Sequence, residues 1–245
     1  MIVALRLEHP NLIIFIIKYD FDAVYRRLHC HPLHAIKAII IFGSLAYILS
    51  RLPFNAAAGP SIYSQFSEKI FELTNDIMQD ELWDPSDLNS PYYHDKVHPP
   101  ERLSDEITFG KAKPLAVQFP LRECYCDGYI DDSIVISWDR KNNVEKGQQG
   151  LPLAIDTAMR PRADNETVFR EDHIQPIKLK GEGTPTERRV VLGWLICTRE
   201  LRIYLPQPKA IFWTQTISEL LRKDRLVRSK ELERLLGKLF IPDFS

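Results

Sequence analysis

The chain has 245 residues, 44% hydrophobic and 27% charged, with a formal net charge of -1. That length suits one large domain or two small ones, and the composition excludes a disordered or fibrous chain. The near-neutral total excludes bulk basicity as the means of holding nucleic acid, yet the charge is unevenly placed: eleven acidic and three basic residues from Glu68 to Glu106, ten basic and five acidic from Arg199 to Lys238.

Met1 to Glu8 reads as the tail of a helix that ends before Pro10. It carries Arg6 and no cleavage-site pattern, so no secretory signal is expected. Leu12 to Ile17 is a β-branched run fit for a central strand buried on both faces, delivering Lys18, Tyr19 and Asp20 at its C-terminal end. Asp22 to His31 reads as a short helix or turn. His29-Cys30-His31 with His34 nearby suggests a metal, but neighbouring residues point in different directions and are read as ordinary surface and core. The four cysteines, Cys30, Cys124, Cys126 and Cys197, follow no zinc spacing or disulfide framework, so a reducing, intracellular compartment is expected, cytoplasm or nucleus.

Residues 36–51 read as a hairpin broken at Gly43-Ser44. Its apolar run, Ala35 to Leu49, falls short of the roughly 20 residues of a membrane span and is read as buried strand. Gly59-Pro60-Ser61 opens a helix, with proline in the first turn. Ile62, Phe66, Ile70, Leu73 and Ile77 recur at helical spacing and predict its core face. Residues 84–114, punctuated by prolines, predict an irregular connector. Cys124-Tyr125-Cys126 leads into Tyr129-Ile130-Asp131-Asp132, followed by Ile134, Ile136 and Trp138 in alternation with Ser133, Val135 and Ser137. That pattern predicts a hairpin with paired carboxylates at its bend and a half-buried second strand. Two adjacent anionic oxygens on a stiff hairpin suit Mg²⁺.

Asn142 to Gly150 is polar, and Pro152 to Met159 predicts a helix. Arg189 to Ile196 is a strand by composition. Leu201, Ile203 and Leu205 alternate in a second strand, which Pro206-Gln207-Pro208 stops. Trp213, Ile217, Leu220 and Leu221 follow helical spacing. Ser229 is a plausible N-cap for a last helix through Leu239.

Taken in order, these pieces resemble the palm and the start of the thumb of a retrotransposon reverse transcriptase. Asp20-Phe21-Asp22-Ala23-Val24-Tyr25 resembles that family's first block, a metal-binding aspartate with an aromatic five residues on. Leu52-Pro53-Phe54-Asn55 through Gly59-Pro60 resembles the second. Tyr129-Ile130-Asp131-Asp132 resembles the aromatic-x-Asp-Asp signature, and Val191-Leu192-Gly193-Trp194 resembles the hairpin that grips the primer end. The similarity runs from Ile13 to Leu239. Val24 departs from the usual alanine and Asn55 from the usual glycine.

The resemblance implies an α+β polymerase palm, an antiparallel sheet packed on helices, over residues 1–205 and a helical thumb start over 206–245. It implies RNA-directed DNA synthesis with two Mg²⁺ ions, Mn²⁺ being a possible substitute, held by Asp20, Asp131 and Asp132. Phe21 would add a backbone carbonyl, while Asp22 is not expected to be a ligand. Tyr25 would exclude the 2′-hydroxyl, and Phe54 with Asn55 would meet the incoming nucleotide. Leu192, Gly193 and Trp194 would form the primer grip. Lys178 or Lys180 would assist pyrophosphate departure. Arg222, Lys223, Arg225 and Arg228 would follow phosphates without reading sequence. The implied partners are a template-primer, deoxynucleotides, and the fingers and ribonuclease H parts of a larger polyprotein, with no membrane. The alternative reading is a catalytically inactive retroelement remnant that at most binds nucleic acid.

Overall fold

Apolar side chains on both parities give Ile14–Asp20 the character of a strand buried on two sides, and this run is β1 in a computed structural model of the chain. The structure describes residues 1–21, 28–37, 39–52, 59–82, 98–116, 121–130, 132–140, 142–159, 165, 167, 173–174, 179, 181–222 and 229–230, and the backbone alone at Asp20. The helix α1 (Ile2–Glu8) precedes β1. After it come α2 (Pro32–Ala35), β2 (Ile39–Phe42), β3 (Leu45–Ile48), α3 (Gly59–Gln79), β4 (Cys124–Tyr129), β5 (Asp132–Trp138) and α4 (Asn143–Ala158). The chain continues through β6 (Arg188–Val191), β7 (Trp194–Cys197), β8 (Arg202–Tyr204) and α5 (Gln207–Arg222). The fold is α+β. Its sheets run β1-β5-β4, β2-β3 and β6-β7-β8, with antiparallel pairing between β1 and β5, β4 and β5, β2 and β3, and β6 and β7. The central strand of the first sheet is β5, not β1 as the sequence suggests. On its other side β1 meets one bridge, where Ile16 and Thr186 exchange N–H···O bonds of 2.8 and 3.1 Å. Burial on both faces holds: Ile14, Phe15, Ile16 and Ile17 are at most 1% exposed.

The helices α3 and α4 cover the face of this sheet that carries Ile17, Tyr19 and Val135. In β5 the deeper parity is not the isoleucines but Ser133, Val135 and Ser137, each 0% exposed. Small side chains are needed there because α4 lies close. A Cβ on Gly147 would stand 3.2 Å from Ser137 Cβ and 3.3 Å from Ile17 Cδ1, and one on Gly150 would stand 2.6 Å from Met78 Cγ of α3. These glycines belong to the stretch that reads as polar in the sequence. The helix therefore starts at Asn143, and Pro152 lies inside it. Proline cannot donate to the carbonyl four residues back. That carbonyl, Gln148 O, instead accepts from the buried Tyr19 hydroxyl at 2.6 Å.

The buried face of α3 carries Tyr63, Ser67, Ile70, Phe71, Thr74, Asn75 and Met78. Of the predicted stripe, Ile70 is buried, Phe66, Leu73 and Ile77 lie at its flank, and Ile62 is exposed. Ser67, Thr74 and Asn75 can occupy the buried face because each side chain is hydrogen-bonded there. Thr74 donates to Ile70 O at 2.7 Å, and Asn75 makes a two-way bond with the Cys126 backbone, both contacts 2.8 Å. Gln79 donates to Cys124 O at 3.1 Å. These amides satisfy the open edge of β4, where a further strand would otherwise pair. Truncation in Asn75→Ala leaves a buried N–H and C=O unpaired. It should cost about 1–3 kcal/mol, read as a lower urea midpoint, while Lys69→Ala on the exposed side should leave the midpoint unchanged.

Behind the other face of the sheet, α1 packs through Leu5 on Ile14 and Trp138. Glu187 and Arg199, 0% and 2% exposed, form a two-pronged ion pair at 2.8 and 2.6 Å. Leu103 N–H donates to Glu187 Oε2 at 2.8 Å, and Arg199 donates to Ser104 O at 2.8 Å. Arg6 donates to Pro10 O and Thr198 O, and the Phe109 ring lies 4.6 Å from its guanidinium and 5.1 Å from that of Arg199. Arg189 to Ile196, read as one strand in the sequence, is instead the β6–β7 hairpin, bent at Leu192 and Gly193 with φ of 47° and 82°. Positive φ at both central residues is the turn that matches strand twist. The described part of the connector, residues 98–116, contains neither helix nor named strand.

The β2–β3 hairpin turns at Gly43-Ser44 as expected, but its strands are exposed, not buried. The chain divides into Met1–Ile203 and Tyr204–Ser245, a boundary two residues before the expected one. In the second unit α5 has no buried residue. No helix among the described residues is long and apolar enough to cross a membrane.

Burial pushes the Cys124 thiol up to about 11 and also raises Cys126 and Tyr19. The unfolded Cys124 thiol ionises near its ordinary 9.0, whereas the folded one keeps its proton to about 11. Between those values the unfolded state binds fewer protons, so stability falls as pH rises. The urea midpoint should drop steadily from pH 9 to 11, with Cys124 alone accounting for about 2–3 kcal/mol at the upper end. A flat midpoint would contradict this burial.

Candidate active site

Antiparallel register brings the two acidic stretches together. β1 pairs with β5 from Ile14 opposite Trp138 through Asp20 opposite Asp132. β4 pairs with β5 from Cys124 opposite Ser137 through Tyr129 opposite Asp132, with Ile130 leaving the end of β4. Two strand ends and one tight turn therefore meet at Asp132. Asp131 itself lies outside the described residues. Ile130 has φ of 58°, the left-handed region that β-branched residues avoid, and its side chain packs on the core beneath.

Strand parity gives the direction of the site. Asp132 shares its parity with Ile134, Ile136 and Trp138, so its side chain stands on the sheet face away from α3 and α4, and the backbone of Asp20 pairs directly opposite it. Lys18 Nζ lies 3.0 Å from Asp132 Oδ1 and 3.1 Å from Glu182 Oε2, the second at ion-pair distance without hydrogen-bond alignment. The Lys18 side chain is 13% exposed and that of Asp132 29%. Thus Asp132 combines with a cation supplied by the chain. Sequence reasoning placed Lys18 at the strand end without a role, although its spacing two residues from Asp20 was a usable signal. Glu182 comes from a distant segment and carried no signal.

On the opposite parity, Ser133 Oγ donates to Tyr19 O at 2.8 Å. That bond ties the residue before Asp20 to the residue after Asp132. Beneath the hairpin stem Gly128 admits the Phe71 ring of α3: a Cβ there would stand 2.5 Å from Phe71 Cζ and 2.6 Å from Asp132 O.

The remaining candidates fall as follows. The Phe21 ring is buried against Tyr63 and Phe71, at centroid distances of 6.2 and 6.4 Å, and its backbone bridges Ile174. Leu192 is exposed and Gly193 and Trp194 half-buried, at the tip of the β6–β7 hairpin. Arg222 is exposed at the end of α5 in the second unit. Asp22, Tyr25, Phe54, Asn55, Lys178, Lys180, Lys223, Arg225 and Arg228 lie outside the described residues. Among the described residues no group of three or more His, Cys, Asp or Glu side chains is placed to hold a metal ion. His31 accepts from Leu33 N–H at 3.3 Å as the cap of α2. No protein-family model matches the chain. A search of curated proteins finds no match either.

A side chain at position 128 must displace Phe71 or the Asp132 backbone. Gly128→Val should therefore lower stability by about 1–3 kcal/mol in thermal unfolding. In a Phe71→Ala background the same substitution should cost less, because the ring that it displaces is gone. Equal cost in both backgrounds would show that this approach does not position the hairpin.

Proposed function

We propose that the chain is the palm, with the start of the thumb, of a retrotransposon RNA-directed DNA polymerase. One observation carries the reading: the β1–β5 register sets the backbone of Asp20 opposite Asp132, the residue that follows Asp131 in sequence. Acidic residues more than a hundred positions apart thereby share one end of one sheet. Carboxylates are the hard oxygen donors that Mg²⁺ takes.

In this reading Asp20 and Asp131 would hold two Mg²⁺ ions, with Mn²⁺ able to substitute, and Asp132 would stand beside them. The metal pair, about 3.5–4 Å apart in such sites, supplies charge stabilisation for the attacking and leaving oxygens of an in-line displacement at an α-phosphate. Lys18 holds the Asp132 carboxylate, so a metal ion at Asp132 would compete with that cation. The Phe21 ring anchors the strand end in the core and leaves its backbone as the part that would face a nucleotide. The β6–β7 hairpin would bear on the primer through Leu192, Gly193 and Trp194. Arg222, Lys223, Arg225 and Arg228 would track phosphates through charge alone.

A second reading, an inactive remnant that at most binds nucleic acid, draws on the same ion pair: Lys18 already places a positive charge against Asp132. Primer extension separates the two. Wild type with Mg²⁺ on a primed RNA template should extend with deoxynucleotides, and Asp131→Asn should lower the rate at least 100-fold, the order expected when a transition-state charge stabiliser is lost. Absence of product from wild type at every Mg²⁺ and Mn²⁺ concentration would favour the remnant.

A further inference from the structure

We infer that the β2–β3 hairpin is a self-association arm that docks against a second copy of this chain. Among the described residues the hairpin forms a sheet of its own, with no further strand paired to either edge. Its stem is tied to the body where Cys30 N–H donates to Ser50 O at 2.9 Å and Leu52 N–H to Leu28 O at 3.0 Å. Beyond that stem both faces are apolar and exposed. Ile39, Ile41 and Ile48 share one face, 46%, 75% and 57% exposed. Ile40, Phe42, Leu45 and Tyr47 share the other, 51%, 78%, 60% and 49% exposed.

Three physical points select the occupant. An isolated two-stranded hairpin is at best marginally stable in water, so this one calls for cover. Open edges exclude a lipid interior, because unpaired N–H and C=O groups are not tolerated in hydrocarbon. A protein surface that supplies both edge bonds and apolar area is left. The seven large side chains, each about half exposed or more, together expose several hundred Å², at or above the largest patch of an ordinary monomer and close to the roughly 800 Å² that one partner gives a standard interface.

The hairpin is also its own complement. From Ile39 to Ile48 no residue is charged and none is proline, so the edges lack the usual guards against pairing with a like edge. Two arms related by a two-fold axis pack the Ile40, Phe42, Leu45 and Tyr47 face of one on the same face of the other, an isologous contact that closes at two copies. The candidate active site plays no part in this inference, which stands whether or not the chain is a polymerase.

Sedimentation velocity of the full chain at micromolar concentration tests it. Wild type should sediment as a dimer. Ile41→Lys with Phe42→Lys, which places one charge on each face, should give a monomer with unchanged circular dichroism, because both side chains project into solvent. Glu72→Lys on exposed α3 surface should remain dimeric. A wild-type monomer at about 100 µM, a polydisperse assembly, or a dimer that persists in the double variant overturns the inference. So does flotation of a monomeric wild type with anionic phosphatidylserine vesicles, which would assign the arm to a lipid surface.

Discussion

The position of the acidic cluster depends on how closely α4 can approach the β1-β5-β4 sheet. Register in a sheet is strongly specified only where one face is packed, because a slip of one residue turns every side chain over. Here the packed face is made of Ser133, Val135 and Ser137 under Gly147. Larger residues would lift the helix, and larger gaps would let the strand slide. The Tyr19 hydroxyl, bonded to the carbonyl that Pro152 leaves without a donor, pins β1 to the same helix. The placement of Asp20 opposite Asp132 is therefore a consequence of serines, glycines and one proline on the far side of the sheet.

The two faces of that sheet are held by different physics. The helix side is an apolar core with polar groups satisfied one by one, such as Asn75 on the Cys126 backbone. The acidic side is backed by the buried Glu187–Arg199 pair, with Arg6 and Phe109 stacked against it. A buried pair of this kind adds little net stability over an apolar replacement, but its removal by halves is costly. Its effect is directional. It draws α1, the 103–109 stretch and the β6–β7 hairpin to one point, and Thr198 beside it donates to Ile14 O at 2.5 Å. Lys18, next along the parity of Ile14 and Ile16, lies between Asp132 and Glu182.

Much of this was legible in the sequence, and the errors share a cause. The β1 run, the β4–β5 hairpin and the Gly43-Ser44 hairpin were readable because β-branching and turn residues act locally. The depth of β5 was not, since a rule that sends isoleucine inward cannot anticipate a helix close enough to require serine. Gly147, Gly150 and Pro152 read as breakers because their cost is local, while their benefit lies in contacts with Ser137, Met78 and Tyr19 far along the chain. Ala35 to Leu49 read as buried because apolar composition is a local signal, whereas exposure depends on which elements pack nearby, and none of the described helices covers these strands. At the site, the spacing of Lys18 from Asp20 carried a signal, but its contact with Glu182 is tertiary and spacing alone does not encode it.

Ile130 shows how these constraints add up. A β-branched residue in the left-handed region costs on the order of 1–2 kcal/mol relative to its preferred conformation. Glycine would adopt that dihedral without cost, but it would remove a side chain that packs on the core under the turn. Tyr129 opposite Asp132 fixes the turn at two residues, and Phe71 against Gly128 fixes the height of its stem. With length, height and packing all set, the dihedral at position 130 is what remains to absorb the mismatch. Ile130 is thus held from three sides, by the register of the stem, by the Phe71 ring beneath it and by its own packing on the core.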